Sequence, residues 1–250
     1  MKMSKEDKHH IKILEKKIAG GDLDAMMEYA WLYHNDFPEE VTPEIAQKMV
    51  ACYEKCLAAG DLTAALNLGA MYYSGVFIPR DFLKAVKYYE QATESDDYET
   101  QIRAWTNLGY CHYYGRDIPV DYEKAFNCYM RAAICDDPNA LYKIGDMYRY
   151  GRHVAKDEKK AAEFYEQALE NIYRDERFYS DVAMRIGECS LYGIGMEKNI
   201  YRALKMLTRA EADTIIKIRE RDPFAASLLP KIKKMLDEAR RQVDGDLNLR

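Results

Sequence analysis

Residues 101–114 place Ala104 (or Trp105), Leu108, Gly109 and His112 at helical spacing, without the alternation of a strand. The same grammar occurs four times. A leucine–glycine or isoleucine–glycine pair stands at Leu68-Gly69, Leu108-Gly109, Ile144-Gly145 and Ile186-Gly187. Six residues after each of these glycines comes another, Gly75, Gly115, Gly151 and Gly193. Ten further on is the alanine of a basic pair: Lys84-Ala85, Lys124-Ala125, Lys160-Ala161 and Arg202-Ala203. Spacing inside the unit is invariant, whereas the units recur at 40, 36 and 42 residues. Each unit is therefore one supersecondary block, with insertions confined to the joints.

The block reads as a helical hairpin. Its second glycine ends the first helix, because glycine adopts the left-handed cap conformation without a Cβ penalty. Asp81, Asp121, Asp157 and Asn199 share one position before the second helix and are good N-caps. In the Gly109 unit that second helix is expected from about Tyr122 to Cys135. Ala92, Ala132, Ala168 and Ala210 align within the second helices. A glycine inside the first helix costs about 1 kcal/mol relative to alanine. Its fourfold recurrence suggests that the missing side chain lets a neighbouring helix approach closely. A bulky residue at Gly109 is expected to overpack the joint, at roughly 1–3 kcal/mol.

The stretch from Ala64 to Ala92, AALNLGAMYYSGVFIPRDFLKAVKYYEQA, with equivalents beginning near Ala104, Ala140 and Ala183, closely resembles the Sel-one-like repeat (SLR) family. Tetratricopeptide repeats are close relatives, but their 34-residue period and single-glycine signature fit less well. The resemblance covers about residues 60–213. It implies an all-α chain, a right-handed α/α superhelical solenoid of helix-turn-helix repeats. Two departures stand out. The second glycine of the family's G-x-G survives only in Gly193-Ile194-Gly195, and the motif tyrosine is replaced by His112 and Ser190.

An organisation follows. Residues 1–20 form an N-terminal segment or capping helix. Residues 21–60 are a degenerate first repeat, with Ala30 in place of glycine and a lengthened loop from Phe37 to Glu44. Residues 61–213 hold the four SLR-type repeats and 214–244 C-terminal capping helices, leaving 245–250 as a frayed tail. Asp222-Pro223 reads as an N-cap and first-turn proline, and Pro230 starts a further helix or kinks this one. Leu228, Leu229, Ile232, Met235 and Leu236 could close the end of the stack. End repeats deviate because one face must meet water.

The chain has 250 residues and a formal charge of −5, with both signs interleaved. Nothing resembles the basic stripe that a phosphate backbone requires, so nucleic acid is not an expected partner. Apolar runs fall short of the roughly 20 residues of a membrane span. The start, MKMSKEDKHHIKILEKK, lacks the apolar core of a secretory signal, which makes the cytoplasm the expected location. In that setting the six cysteines (Cys52, Cys56, Cys111, Cys128, Cys135 and Cys189) read as small apolar thiols rather than disulfides.

No catalytic constellation stands out. There is no phosphate-cradling glycine loop, no H-E-x-x-H and no C-x-x-C. Cys111 and His112 are neighbours and point in different directions on a helix, so a metal would need distant ligands. His112 reads as a packing residue and Cys189 as helix interior. No metal and no cofactor is expected. Some cysteine-rich secreted members of the family are linked to β-lactams, but their paired-cysteine spacing is absent here and that activity is not carried over.

At about 100° per residue, positions −4, −1, 0 and +3 relative to the first glycine share one face, and −2, +1 and +5 share the other. In superhelices of helical hairpins the free face of the first helix lines the concave groove. The −2 row is Asn67, Asn107, Lys143 and Arg185. The +1 row is Ala70, Tyr110, Asp146 and Glu188, and the +5 row is Ser74, Tyr114, Tyr150 and Tyr192. Glu28, Trp31 and Asn35 would extend these rows. Such a face suits a peptide segment or protein partner, with aromatic area and donors for carbonyls or carboxylates. Two plainer readings remain: packing tyrosines at +5, and a merely solvated polar −2 row. A protein-interaction scaffold is thus the expected function. The alternatives are a hydrolase-like enzyme using an inter-repeat pocket and a self-assembling structural module. Oligomeric state is not written in the sequence.

Overall fold

The computed structural model describes residues 3–115, 117–172, 179–220, 222 and 225–248. Among these there is no strand. The chain falls into two compact units that divide after Cys128. The first contains α1 (Lys5–Ala19), α2 (Leu23–Asn35), α3 (Pro43–Ala58), α4 (Leu62–Ser74), α5 (Phe82–Ala92) and α6 (Tyr98–Tyr114). Helix α7 (Tyr122–Ala133) crosses the division. The second unit continues with α8 (Pro138–Tyr150), α9 (Glu158–Asn171), α10 (Tyr179–Tyr192), α11 (Ile200–Arg219) and α12 (Leu229–Asn248). Helices α1 to α6 pack consecutively, as do α8 to α12.

The hairpins α4/α5, α8/α9 and α10/α11 are extensively packed. Their ends are built as the spacing predicts. Gly75, Gly115 and Gly151 cap α4, α6 and α8 at φ of 65°, 62° and 63°, each donating its N–H to the carbonyl four residues back. Asp81, Asp121, Asp157 and Asn199 accept from the backbone N–H three residues on, at 2.9–3.0 Å. One further bond repeats in every joint. The N-cap N–H donates to the carbonyl of the +3 residue: Asp81 to Tyr72, Asp121 to His112, Asp157 to Tyr148 and Asn199 to Ser190. This pins the second helix to the first whatever side chain stands at +3.

The repeated glycine is explained by what lies on it. A Cβ on Gly69 would meet the Tyr89 ring at 2.6 Å, one on Gly145 the Tyr165 ring at 2.6 Å, and one on Gly187 the Leu207 side chain at 2.6 Å. The close approach is thus a large side chain from the second helix of the same repeat, twenty residues on. Gly195, retained only in the last repeat, has φ +67°, and a Cβ there would run into the Glu158 carbonyl at the start of α9.

At the start of the first unit, Ser4 and Asp7 form a reciprocal capping box for α1. That helix buries Ile11 and Leu14 in a core shared with α2, α3 and α4. Ala30, standing where the repeats have glycine, is fully buried. The lengthened loop after α2 holds a 3-10 turn, Pro38–Glu40, before Thr42 caps α3. In the second unit α11 runs to Arg219, past the point where the last repeat was expected to end. Asp222 accepts from the Ala225 N–H as a cap, whereas Pro223 lies outside the described residues. Pro230 is the second residue of α12 and so starts a helix rather than kinking one. Ile232, Met235 and Leu236 are buried in the second unit's core. Helix α12 continues to Asn248, into the segment expected to fray; Leu249 and Arg250 lie outside the described residues.

Candidate protein-interaction surface

By helical geometry the −2, +1 and +5 positions fall on one side of the first helices, but in the second unit their charges are not left to solvent. Arg185 on α10 donates Nε to Asp146 Oδ1 and Nη2 to Oδ2, both at 2.6 Å. The Tyr165 hydroxyl of α9 donates to Asp146 Oδ1 at 2.9 Å, and Lys143 Nζ lies 3.8 Å from Oδ2. Lys143 and Asp146 are only 2% and 3% exposed. Burial alone would push the Asp146 carboxyl up. The Arg185 guanidinium reverses this, aided by Lys143 and the Tyr165 hydroxyl, and holds it below the usual carboxylate range.

The network continues on both sides. Arg185 Nη1 donates to the Asp181 carbonyl at 3.0 Å, and Lys217 on α11 donates to the Ser180 hydroxyl at 2.7 Å with Asp181 Oδ2 at 3.3 Å. Arg149 on α8 donates to Glu188 on α10 at 2.8 Å. Thus Lys143, Asp146, Arg185 and Glu188, which the helical wheel assigns to an open groove, tie α8 to α10 as paired charges. The physical reason is stacking: a +1 acid meets the −2 base of the next repeat, and each needs the other once water is excluded.

The +5 tyrosines remain accessible. Tyr150 is 55% exposed and Tyr192 45%. The Arg149 and Arg152 guanidinium carbons lie 5.4 and 5.3 Å from the Tyr150 ring centre. The Tyr192 hydroxyl donates to Glu238 of α12 at 2.7 Å; burial and that carboxylate push the phenol up to about 12. Both side chains therefore have polar partners while remaining about half exposed. A cleft of about 380 Å³ lies beside Tyr150, lined also by Arg149, Lys156, Glu158 and Ile194.

The same face of the first unit is less charged. Asn67, Ala70, Ser74, Asn107 and Tyr110 are half-buried. Tyr114 is exposed and stacks on Tyr110 at 5.9 Å between ring centres. Glu28, Trp31 and Asn35 are exposed on α2, where Glu28 pairs with His10 at 2.6 Å.

The other chemical candidates are part of the packing. Tyr72 stacks on Tyr88 at 5.8 Å with Lys84 over its ring, and Tyr148 stacks on Phe164 at 5.6 Å with Lys160 over its ring. His112 takes the equivalent position in its repeat. Burial, then Lys124, lowers its pKa. Cys52, Cys56 and Cys189 are buried, and burial pushes the last two thiols up to about 11, away from nucleophilic thiolate. Among the described residues no group of three or more His, Cys, Asp or Glu is placed to hold a metal ion. No described helix is long and apolar enough to cross a membrane.

Antiparallel helix pairs with repeated glycine, cap and tyrosine positions define an all-α helical-repeat protein. The Sel1 repeat family profile matches residues 62–97, 104–137, 138–172 and 180–212, and the chain belongs to that family. Comparison with curated protein sequences returned no match. Among solved structures, a Sel1 repeat protein from Oxalobacter formigenes superposes with a TM-score of 0.61 at 22% identity, covering 88% of either chain. The protein c5321, a protective antigen of uropathogenic Escherichia coli strains displaying an SLR fold, gives 0.56 at 19% identity. That match covers 94% of this chain, which spans only 57% of c5321. Sel1 repeat proteins are typically protein-interaction scaffolds.

Proposed function

We propose that this protein is a non-enzymatic adaptor that binds a peptide segment or protein partner on the free face of its first helices. One observation carries the reading: Tyr150 and Tyr192 are exposed on that face yet fixed by polar partners. Tyrosine and arginine are enriched among the residues that dominate binding energy at protein interfaces, tyrosine because its rigid ring adds contact area at low entropy cost. Tyr114, Tyr110, Asn67 and Asn107 are the contacts proposed for the first unit. Lys143, Asp146, Arg185 and Glu188 act as the frame that sets the tyrosines, and Glu188 and Arg185 also border the contact face.

The polar outer surfaces of the end helices favour this reading over end-to-end assembly. Exposed residues of α1 include Lys5, Glu6, Lys8 and Lys12, and those of α12 include Lys233, Lys234, Asp237 and Arg240. The raised thiol pKa of Cys189 keeps it protonated and so favours a binding role over thiol-based hydrolysis. The cytoplasm is the proposed setting, in keeping with reduced thiols at Cys52, Cys56 and Cys189.

Selection of a random peptide display library on the full chain tests this. Peptides retained by the native protein should be released by a Tyr150→Ala/Tyr192→Ala variant whose circular dichroism and melting are unchanged. Undiminished retention by that variant would remove the face from the function.

A further inference from the structure

We infer that the first unit carries a second contact site, a cleft between α3 and the α4/α5 hairpin that takes an arginine side chain from a partner protein. The cleft holds about 380 Å³. Val50 and Ala51 of α3, with Ile78 and Pro79 of the loop after α4, give it apolar walls. Tyr72, at +3, also lines it, on the side of α4 opposite the −2, +1 and +5 rows. The site is therefore separate from the tyrosine face. Four charged residues border it: Glu54, Arg80, Asp81 and Lys84. Three of them already have partners within the chain. Lys84 Nζ lies 3.7 Å from Asp81 Oδ2. Arg80 donates Nε and Nη2 to the Ser74 carbonyl at 3.3 and 2.8 Å, at the negative end of α4. Glu54 is exposed on α3, and among the described residues its carboxylate has no ion-pair or hydrogen-bond partner.

The last repeat contains the matching cation. Lys48, Met49, Tyr53 and Cys56 of α3 follow the spacing of Lys160, Ala161, Tyr165 and Ala168 of α9, so Glu54 corresponds to Glu166. Both tyrosines are fully buried, which sets the two helices at the same rotation. Lys84 and Arg202 likewise share one repeat position. In the second unit Arg202 Nη2 donates to Glu166 Oε2 at 2.6 Å, joining α11 to α9. A neighbouring cation does not prevent this: Lys198 precedes the N-cap there, as Arg80 does here. In the first unit the lysine stays local, 4.8 Å from the Tyr72 ring centre and beside Asp81. Glu54 and Lys84 thus line the cleft without meeting across it. An arginine from outside would lay its apolar stem along Val50 and Ile78 and offer the planar fork that lysine lacks to the Glu54 carboxylate. The chain's charge of −5 favours the approach of a cationic segment.

A random peptide display library is selected on the full chain and counter-selected on a Glu54→Gln variant, and the peptides that separate the two are measured by fluorescence anisotropy. Arginine should be enriched among them. Glu54→Gln, an exposed change checked for unchanged melting, should weaken their binding by at least about tenfold. Tyr150→Ala/Tyr192→Ala should bind them as the native chain does. Lys84→Arg, which lets the chain fill its own cleft as Arg202 does, should block them. Glu54-dependent peptides in which arginine is absent or dispensable overturn the site, as do peptides that Lys84→Arg binds equally well. A library yielding no Glu54-dependent peptide overturns it too. All these outcomes leave the tyrosine face standing, since its peptides are defined by Tyr150 and Tyr192.

Discussion

Arg185 reaches back across one repeat to grip Asp146 through two hydrogen bonds of 2.6 Å. The pair is buried, so removing one partner strands the other charge. Asp146→Ala should destabilise the second unit by about 3–5 kcal/mol, and Asp146→Leu/Arg185→Met should recover much of that. Urea denaturation of the single and double variants measures the difference. A double variant as unstable as the sum of the singles would show that the pair is not a coupled unit.

Gly145→Ala should destabilise the protein even though alanine is the better helix former. The gain in propensity is about 1 kcal/mol. Against it, the new Cβ would lie 2.6 Å from the Tyr165 ring, whose hydroxyl is held by Asp146. Overpacking at such a site costs roughly 1–3 kcal/mol. At Gly69 the Tyr89 ring blocks a Cβ in the same way. A raised melting temperature for either variant would contradict the ring-on-glycine account.

Stability should fall in acid in two separate steps. His34 Nδ1 is buried without a hydrogen-bond partner, and burial lowers the ring's pKa to about 4 from an ordinary 6.5. The unfolded chain takes up a proton that the folded one refuses. Its contribution is therefore lost as pH drops from 6.5 towards 4, at most roughly 3 kcal/mol. Asp146, whose folded pKa is depressed, contributes above the usual carboxylate range and loses that contribution only as pH falls below it. Denaturation midpoints from pH 7 to 3 should show His34→Leu flattening the first step alone. Equal slopes in the variant and the native chain would rule out His34.

Removing a cap should be mild and similar in every repeat. Asp157→Ala leaves the Lys160 N–H, now bonded at 3.0 Å, without its side-chain acceptor and should cost about 1 kcal/mol. Asp81→Ala should match it, because the geometry is the same. Thermal melts of both variants check this. A loss several times larger would mean that the aspartate does more than cap.

The helix ends were readable because their causes are local. Asp81 and Asp157 reach a backbone N–H three residues away, and Gly75 and Gly151 cap the helices that end beside them. The role of Gly145 was only half readable. Close approach followed from its recurrence, but the approaching group, the Tyr165 ring twenty residues on, depends on how the hairpin closes. The wheel also placed Lys143, Asp146 and Arg185 on one side of their helices while leaving their charges open. One signal could have exposed the pairing: Asp146/Arg185 and Arg149/Glu188 are opposite charges at the same separation of 39 residues.

By itself, the sequence determined the class of fold, the caps of the repeat helices and the face on which recognition is proposed, since periodicity, glycine caps and aspartate caps act over a turn or two of chain. Only the tertiary structure decided which residues of that face are spent on holding the repeats together. Asp146 and Arg185 are polar letters on a helical wheel; packing α10 against α8 excludes water from them and makes each the other's required partner. Tyr150 and Tyr192 escape that fate and stay about half exposed.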